Sequence, residues 1–568
     1  MRGRSCLLLL LVFVALTGCA GNAPAVDGAA PEVLQPARTV ETAAGATVVA
    51  SLTPQQPSRL CLSPGLPPAF VSQLALPAGV EIVSDPQQAN MRIDFTHRPG
   101  DTGWVYVLAA PFPTVRDGVS FEELQAIAAG QAKGELRDVT LLVSIESKAM
   151  LQEKGFTVSE KTVHAVDPRK MLETAWGQPD TWALLPFEEL EPRWKVLTVD
   201  GKSPLLAEFG PDNYDLTGFI GLSGEQQALE DFQEEIQLPP GNYDPQKKTT
   251  LLMTGVTALT RATAARMDEL GTTYPGEDIR AWMISADLTH ISNEVSFNPD
   301  CPPADFRKHV MHFCSRPEYI ELLEDVGVNV VELSGNHLVD WGRPAFLYSL
   351  ELYADRGWTV FAGGVNQEAA RAPVFLAHNG NRLAFIGCNP AGPEMVWATA
   401  DRPGVADCDL DWLEEQVRQL RSDGYLPVVT FQYNESYGAV PGAGQRRDFE
   451  RMSAAGAVIV SGSQAHHPQS MAFTEQGFIH FGLGNLFFDQ MRMPDGISAP
   501  AIFDADLPVA GTRLEFLDWH VFYDGRYIGT QLYTAVLEDY ARPRPMTMDE
   551  REVFLTRMFQ ASGWQVYP

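Results

Sequence analysis

Six short loops concentrate residue types able to do chemistry, and each follows an apolar run. They are Thr254-Gly255-Val256-Thr257, Asn293-Glu294, Ser334-Gly335-Asn336-His337 with Asp340, Gln432 with Asn434 and Glu435, Ser461-Gly462-Ser463-Gln464-Ala465-His466-His467, and Gly482-Leu483-Gly484-Asn485. Carboxylates and imidazoles brought together exchange protons, and either can ligate a cation. Amide oxygens are hard, neutral donors that suit Ca²⁺ or Mg²⁺ better than zinc. Such a set serves hydrolysis or the binding of a polar ligand. Plainer readings stand beside it: an Asn-His loop that caps the next helix for His337, and a polar turn before Pro468 for His466-His467. His290 and His480 read as core or sheet-face residues, His520 as a strand-surface residue, and His309 and His312 as flanking a disulfide loop.

The elements that must position these loops follow one another regularly. Strands are predicted at Thr250–Met253, Ile284–Leu288, Val328–Leu333, Leu383–Ile386, Pro427–Phe431, Ala457–Val460, Phe478–Phe481, Phe516–Val521 and Gln531–Val536. Helices are predicted at Pro317–Val326, Pro344–Arg356, Leu410–Ser422, Gln445–Ala455 and Met548–Gln560, several closed by glycine. This alternation is that of an α/β fold, whose loops at the carboxyl edge of the strands converge on one crevice.

The ordered motifs Gly335-Asn336-His337 with Asp340 and Gly342, Gly462-x-x-x-His466-x-x-Gln469 and Gly482-Leu483-Gly484-Asn485, together with Asn293-Glu294 after Ala286-Asp287, resemble the CapA-type capsule (poly-γ-glutamate) synthesis family. The resemblance covers about residues 250–490. That family is similar to calcineurin-like metallophosphoesterases, which implies a four-layer α-β-β-α sandwich with metal at the strand ends. The chain departs from the pattern at three places. Gly255-Val256 stands where the family has Gly-Asp, Phe431-Gln432 where a motif begins with His, and Gln464 for the first of two histidines.

The resemblance implies roles for particular residues. Glu294, Asn336, Gln464 and His466 would ligate one divalent ion rather than two; His337, Asp340 and Glu435 would be catalytic; Asn293, Arg261, Gln432 and Asn485 would contact ligand. The implied activity is metal-dependent phosphoesterase-type hydrolysis, or less readily cleavage of an amide-type bond, in surface-polymer synthesis. The alternative is a polymer- or sugar-binding envelope protein without catalysis. An anionic polymer or phosphorylated saccharide is the expected ligand, and a polyanion would need a basic rim, for which Arg261, Arg343, Arg446 and Arg447 lie in suitable loops.

Composition narrows the partners. The chain has 568 residues, 42 Lys+Arg against 72 Asp+Glu, and a net charge of −30, which argues against nucleic acid. No lysine follows Lys308, so the C-terminal half holds neither a P-loop nor a Schiff-base lysine. At the start, Arg2 and Arg4 precede the apolar run Leu7–Leu16, too short to span a membrane, and Leu16-Thr17-Gly18-Cys19 resembles the bacterial lipoprotein box. The expectation is a signal peptide over 1–18, lipid on Cys19, a linker to about 57 and a lipid-anchored position outside the bacterial cytoplasm. Removing residues 1–18 would leave a charge of −32. An exported compartment permits disulfides, and Cys301–Cys314 and Cys388–Cys408 are the local pairs, with Cys61 left over.

Residues 58–240 read as a smaller α/β domain and 247–568 as the CapA-like one, joined through the polar segment Gln226–Lys248. Strands are predicted at Val80–Ile82, Met91–Phe95, Trp104–Leu108, Val139–Val143 and Trp182–Leu185, and helical pieces at Phe121–Ala129 and Ala149–Lys154. The order of Val105–Leu108, Phe112–Val115, Ser120–Leu124 and a returning strand Trp182–Glu189 resembles periplasmic solute-binding domains; an α/β spacer is the other reading.

Overall fold

The structure is a computed structural model that describes residues 58–567, apart from 97, 99, 233–234, 306–310, 437 and 490–512. The expected signal peptide, Cys19, the linker and His309 lie outside the described residues. Residues 57–568 cluster as one compact unit.

Its first half is a ten-stranded mixed sheet. The long strand Thr102–Pro111 is buried from Trp104 onward and pairs antiparallel with Thr217–Gly224, Thr181–Pro186 and Trp194–Val199. The returning strand sets Pro186 opposite Tyr106. Helix Phe121–Ala128 starts on a capping box, in which Ser120 accepts from the backbone of Glu123 and Glu123 accepts from the backbone of Ser120.

The second half is the four-layer sandwich. One sheet runs Thr359–Phe361, Val330–Glu332, Leu288–Asn293, Lys248–Thr254, Arg513–Tyr523, Arg526–Leu537 and Pro543–Pro545, with Val256–Thr257 beside Leu288–Asn293. The other runs Val374–His378, Asn381–Cys388, Leu426–Gln432, Ile459–Ser463, Phe478–His480 and Met471–Phe473. Side-chain alternation along the strands assigns the layers. Leu251, Met253, Val330, Leu383, Phe385, Val428 and Ile459 meet between the sheets. Their neighbours Leu252, Ile291 and Val331 face helices through Met267, Leu323 and Phe346. On the other side Ile386, Val429, Phe431 and Val460 face Leu413, Val417, Phe449 and Met452. Among the described residues no helix is long and apolar enough to cross a membrane.

Two predicted elements are corrected. Ile284–Leu288 is not a strand: Arg280–Ile284 is helical and the strand is Leu288–Asn293. Asp287 closes the turn between them, its carboxylate accepting from Thr250 N and Oγ1, both at 2.8 Å. His520 is buried, because the second sheet covers one face of Arg513–Tyr523 and other chain segments cover the opposite face. Its neighbours are Tyr527 and Thr530, and burial lowers its pKa to about 4, opposed by Asp518.

Disulfides join Cys301 to Cys314 and Cys388 to Cys408, and Cys61 is a buried free thiol. The second ties the end of strand Asn381–Cys388 to the residue before Asp409, the N-cap of helix Leu410–Ser422. It closes a separation of 20 residues. Replacing Cys388 and Cys408 together by alanine is expected to cost about 3 kcal/mol in urea unfolding, from the freed loop entropy of the unfolded chain. A loss under about 1 kcal/mol would show that packing alone fixes this corner.

Candidate active site

The carboxyl ends of both sheets open on one crevice, and most of the expected residues meet there. Glu294 follows the strand Leu288–Asn293 directly. Its close neighbour is the backbone of Gly335, where a Cβ would stand 2.6 Å from Glu294 Cα, so glycine is required for the two loops to touch. Glu294 is 2% exposed, and its Oε1 has no hydrogen-bond partner. That oxygen is 3.9 Å from His466 Nε2. Burial pushes the carboxyl up to about 7; the His337 cation opposes, and Glu435 and Asp340 add to the rise.

His337 and Asp340 sit in the loop after strand Val330–Glu332, with Nδ1 2.7 Å from Asp340 Oδ2. The same oxygen accepts from Phe313 N at 2.8 Å, and the Phe313 ring stands edge-on to the imidazole at 4.8 Å. Burial alone would lower the His337 pKa. The bond to Asp340 and the charges of Glu294 and Glu435 outweigh it, so the ring holds its proton more tightly than usual. Glu435 is exposed at the mouth, and its pKa is raised by what burial it has, against the pull of His337.

His466 is different. It is buried, in the left-handed region at φ 52°, with Nδ1 2.9 Å from Asn485 Oδ1. Burial lowers its pKa to about 3; the Asn485 bond opposes this and the Arg513 cation assists. A neutral ring that donates from Nδ1 to the amide oxygen presents a bare Nε2 lone pair toward Glu294.

The amides lock one another. Gln432 Nε2 donates to Asn336 Oδ1 at 2.8 Å and to Gln464 Oε1, while the Gln464 side chain bonds to Glu294. Gln464 also holds a left-handed backbone, φ 73°. Two further expected contacts are held by the protein itself. Asn293 is buried, and its amide donates to Val295 O at 2.7 Å and Tyr353 Oη at 2.8 Å. Arg261 pairs with Asp489 at 3.3 Å between the rings of Phe313 and Phe488.

The expected basic rim does not assemble from unpaired arginines. Arg343 donates to the carbonyls of Pro403 and Met395. Arg446 pairs with Glu450 at 3.5 Å and lies over Phe481; Arg447 pairs with Asp448 at 3.2 Å.

These donors do not fit a resident divalent ion. A catalytic site of that kind takes about three protein ligands. Here Glu294 Oε1 and His466 Nε2 are the open carboxylate and imidazole donors, and the Asn336 and Gln464 oxygens are neutral, each already accepting one hydrogen bond from Gln432. Among the described residues no three His, Cys, Asp or Glu side chains stand close enough to hold a metal.

Beneath the site lies a charge cluster that the loop motifs do not reveal. Arg513 is 3% exposed and donates to the carbonyl of His466, and Glu515 is fully buried beside it. The usable sequence signal was Arg513-x-Glu515 at the start of a strand rich in aromatic residues, with Asp489 four residues after Asn485.

Comparison with known proteins bears on the same segment. Residues 250–490 match the family model described as "Bacterial capsule synthesis protein PGA_cap". The capsule biosynthesis protein CapA of Bacillus anthracis is 25% identical over 44% of this chain and 62% of its own length. The PGA biosynthesis protein CapA of Bacillus subtilis (strain 168) is 23% identical over 35% of this chain and 52% of its own. The chain thus spans between half and two thirds of the length of these curated relatives. Among solved structures, a 5'-nucleotidase precursor from Thermus thermophilus aligns with 55% of this chain and 59% of its own, at 13% identity and a TM-score of 0.27. Residues 250–490, which carry the ordered loop motifs that build the crevice, are thus similar to the CapA-type family of bacterial capsule synthesis proteins.

Proposed function

We propose that this chain works at the bacterial envelope, held by lipid on Cys19, in the synthesis of a glutamate-type capsule polymer, and that its crevice cleaves an amide bond by proton transfer. The observation that carries the reading is the His337–Asp340 pair at 2.7 Å, facing Glu294 and Glu435 across a closed amide network. The family supports the capsule role; the residues support the reaction class. Three carboxylates surround His337, and Arg261, Arg446 and Arg447 each pair with a carboxylate, so a phosphate ester would meet repulsion. The amide bond itself carries no charge, so the repulsion at the reacting centre is absent as long as the α-carboxylates of the γ-glutamyl chain lie outside the crevice.

The steps use only this chain's residues and water. Glu435 accepts a proton from water as the water oxygen attacks the carbonyl carbon. Asp340 fixes His337 through Nδ1 and stabilises its charge. His337 gives its Nε2 proton to the departing nitrogen as the C–N bond breaks, and proton return from Glu435 through solvent completes the cycle. With the arginines paired away, the substrate is presented by tethering at the membrane and not drawn in by charge.

The test is hydrolysis of short γ-glutamyl peptides by the purified chain at pH 7, with and without chelator. Turnover is expected with chelator present, and His337→Ala is expected to lower it by about 10²–10⁴. Turnover that chelator abolishes would overturn the cation-free mechanism. Unchanged turnover in His337→Ala would move the site elsewhere. Peptide binding without turnover would put the sugar- or polymer-binding role in its place.

A further inference from the structure

A second cavity, of about 300 Å³, lies where the ten-stranded sheet meets the sandwich and is lined by none of the crevice-loop residues. That volume is at the small end for ligand sites, room for about ten waters. Its walls are mostly apolar and include Trp282 stacked on Tyr533, centroids 4.9 Å apart, with Leu532 and Phe559.

The polar end is a charged triad. Asp117 accepts from Lys195 at 2.8 Å and from Arg551 Nε and Nη2, each at 2.8 Å. Lys195 spends its other donors on the carbonyls of Thr114 and Val115. Burial lowers its pKa to about 8, opposed by Asp117, so it is still mostly charged at neutral pH. Two cations against one carboxylate leave a net charge of +1. Among the described lining residues no other carboxylate offsets it. Arg551 uses Nη1 once, toward Thr534 Oγ1 at 3.2 Å, so two of its five N–H groups are left for a further acceptor. An uncompensated cation beside an apolar wall is costly unless an anion completes it.

We infer that this cavity binds a small amphipathic carboxylate, its head on Arg551 and its apolar body against Trp282, Leu532 and Phe559. Guanidinium and carboxylate match in geometry, and the wall excludes a fully hydrated inorganic anion.

The probes are octanoate, octanol and octylamine, read by thermal unfolding and titration calorimetry of the full chain. Octanoate is expected to bind saturably and raise Tm, octanol to bind at least about tenfold more weakly, and octylamine not at all. Arg551→Met is expected to bring octanoate down to the octanol level. Gln531→Glu, a charge change in the same wall that leaves the triad intact, is expected to abolish octanoate binding. Equal affinity for octanoate and octanol, no Tm response to any probe, or full octanoate binding in Gln531→Glu would each overturn the inference.

Discussion

Glu294→Gln is expected to stabilise the protein at pH 8 by about 3 kcal/mol and to leave it unchanged near pH 4.5. Burial raises the carboxyl from 4.5 to about 7, so the folded chain binds its proton more tightly than the unfolded chain does. The stability this supplies is complete below about pH 4.5 and is lost as pH rises through 7, at about 1.4 kcal/mol per pH unit. Glutamine has no charge to bury. It also keeps an acceptor for Gln464 and can donate toward the bare His466 Nε2, the atom 3.9 Å from the orphan oxygen. Urea unfolding of both proteins at the two pH values checks this. A variant no more stable than wild type at pH 8 would mean that the carboxylate is compensated in a way its neighbours do not show. His466 works with the opposite sign. Its pKa falls from 6.5 to about 3, so its stability is present above 6.5 and lost as pH falls toward 3. Comparing variant with wild type removes that contribution.

Arg513→Met is expected to cost about 3–5 kcal/mol, comparable to the loss when a buried charge is deleted from beside an opposite one. Burial lowers the Arg513 pKa to about 10, with Glu515 and Asp489 holding it up. Burial also pushes Glu515 far above its ordinary range, and both its oxygens lack hydrogen bonds. Without the guanidinium, Glu515 keeps its proton inside an apolar wall, and the His466 carbonyl loses a donor. The double variant Arg513→Met with Glu515→Leu is expected to recover most of the loss, because Asp489 retains Arg261. A single variant within about 1 kcal/mol of wild type would show that the pair is not a structural requirement. Hydrogen exchange at the amide of Gln469, which donates to Gly482 O, would report whether the His466 loop loosens as well.

The crevice loops were legible because strand ends in an α/β sheet must turn and carry polar groups, and glycines beside Asn and His mark such turns. The helices were legible from periodicity and closing glycines, and Leu410–Ser422 matches its predicted bounds. Strands broken by polar residues were not. Trp194–Val199 contains Lys195 and Thr198, and Thr217–Gly224 contains three glycines, so neither shows an apolar run. In Arg513–Tyr523 the alternating charges imitate a half-exposed strand, which hid both the Arg513–Glu515 pair and the burial of His520. Side-chain direction was also hidden: nothing in Gln432 announces that its amide occupies the oxygens of two expected ligands. The pairing of Arg446 could have been read, because Glu450 stands four residues on along the same helix.

Phe112 gives the molecule a schedule. It belongs to the first half, yet its ring packs against Phe473, Phe559 and Trp564 of the second. Asp117 meets Arg551 across 434 residues of chain, and Val115 N donates to Tyr567 O. Synthesis delivers these partners hundreds of residues after Phe112 and Asp117. Entropy charges little for closing so long a loop, since its cost grows only with the logarithm of length. Time is the larger constraint, because contacts this distant form slowly and leave aromatic surface uncovered meanwhile. The half made first must therefore wait, partly unfinished, for residues far downstream, which makes any handling factor that shields an exposed aromatic face during that interval part of how this protein reaches its working form.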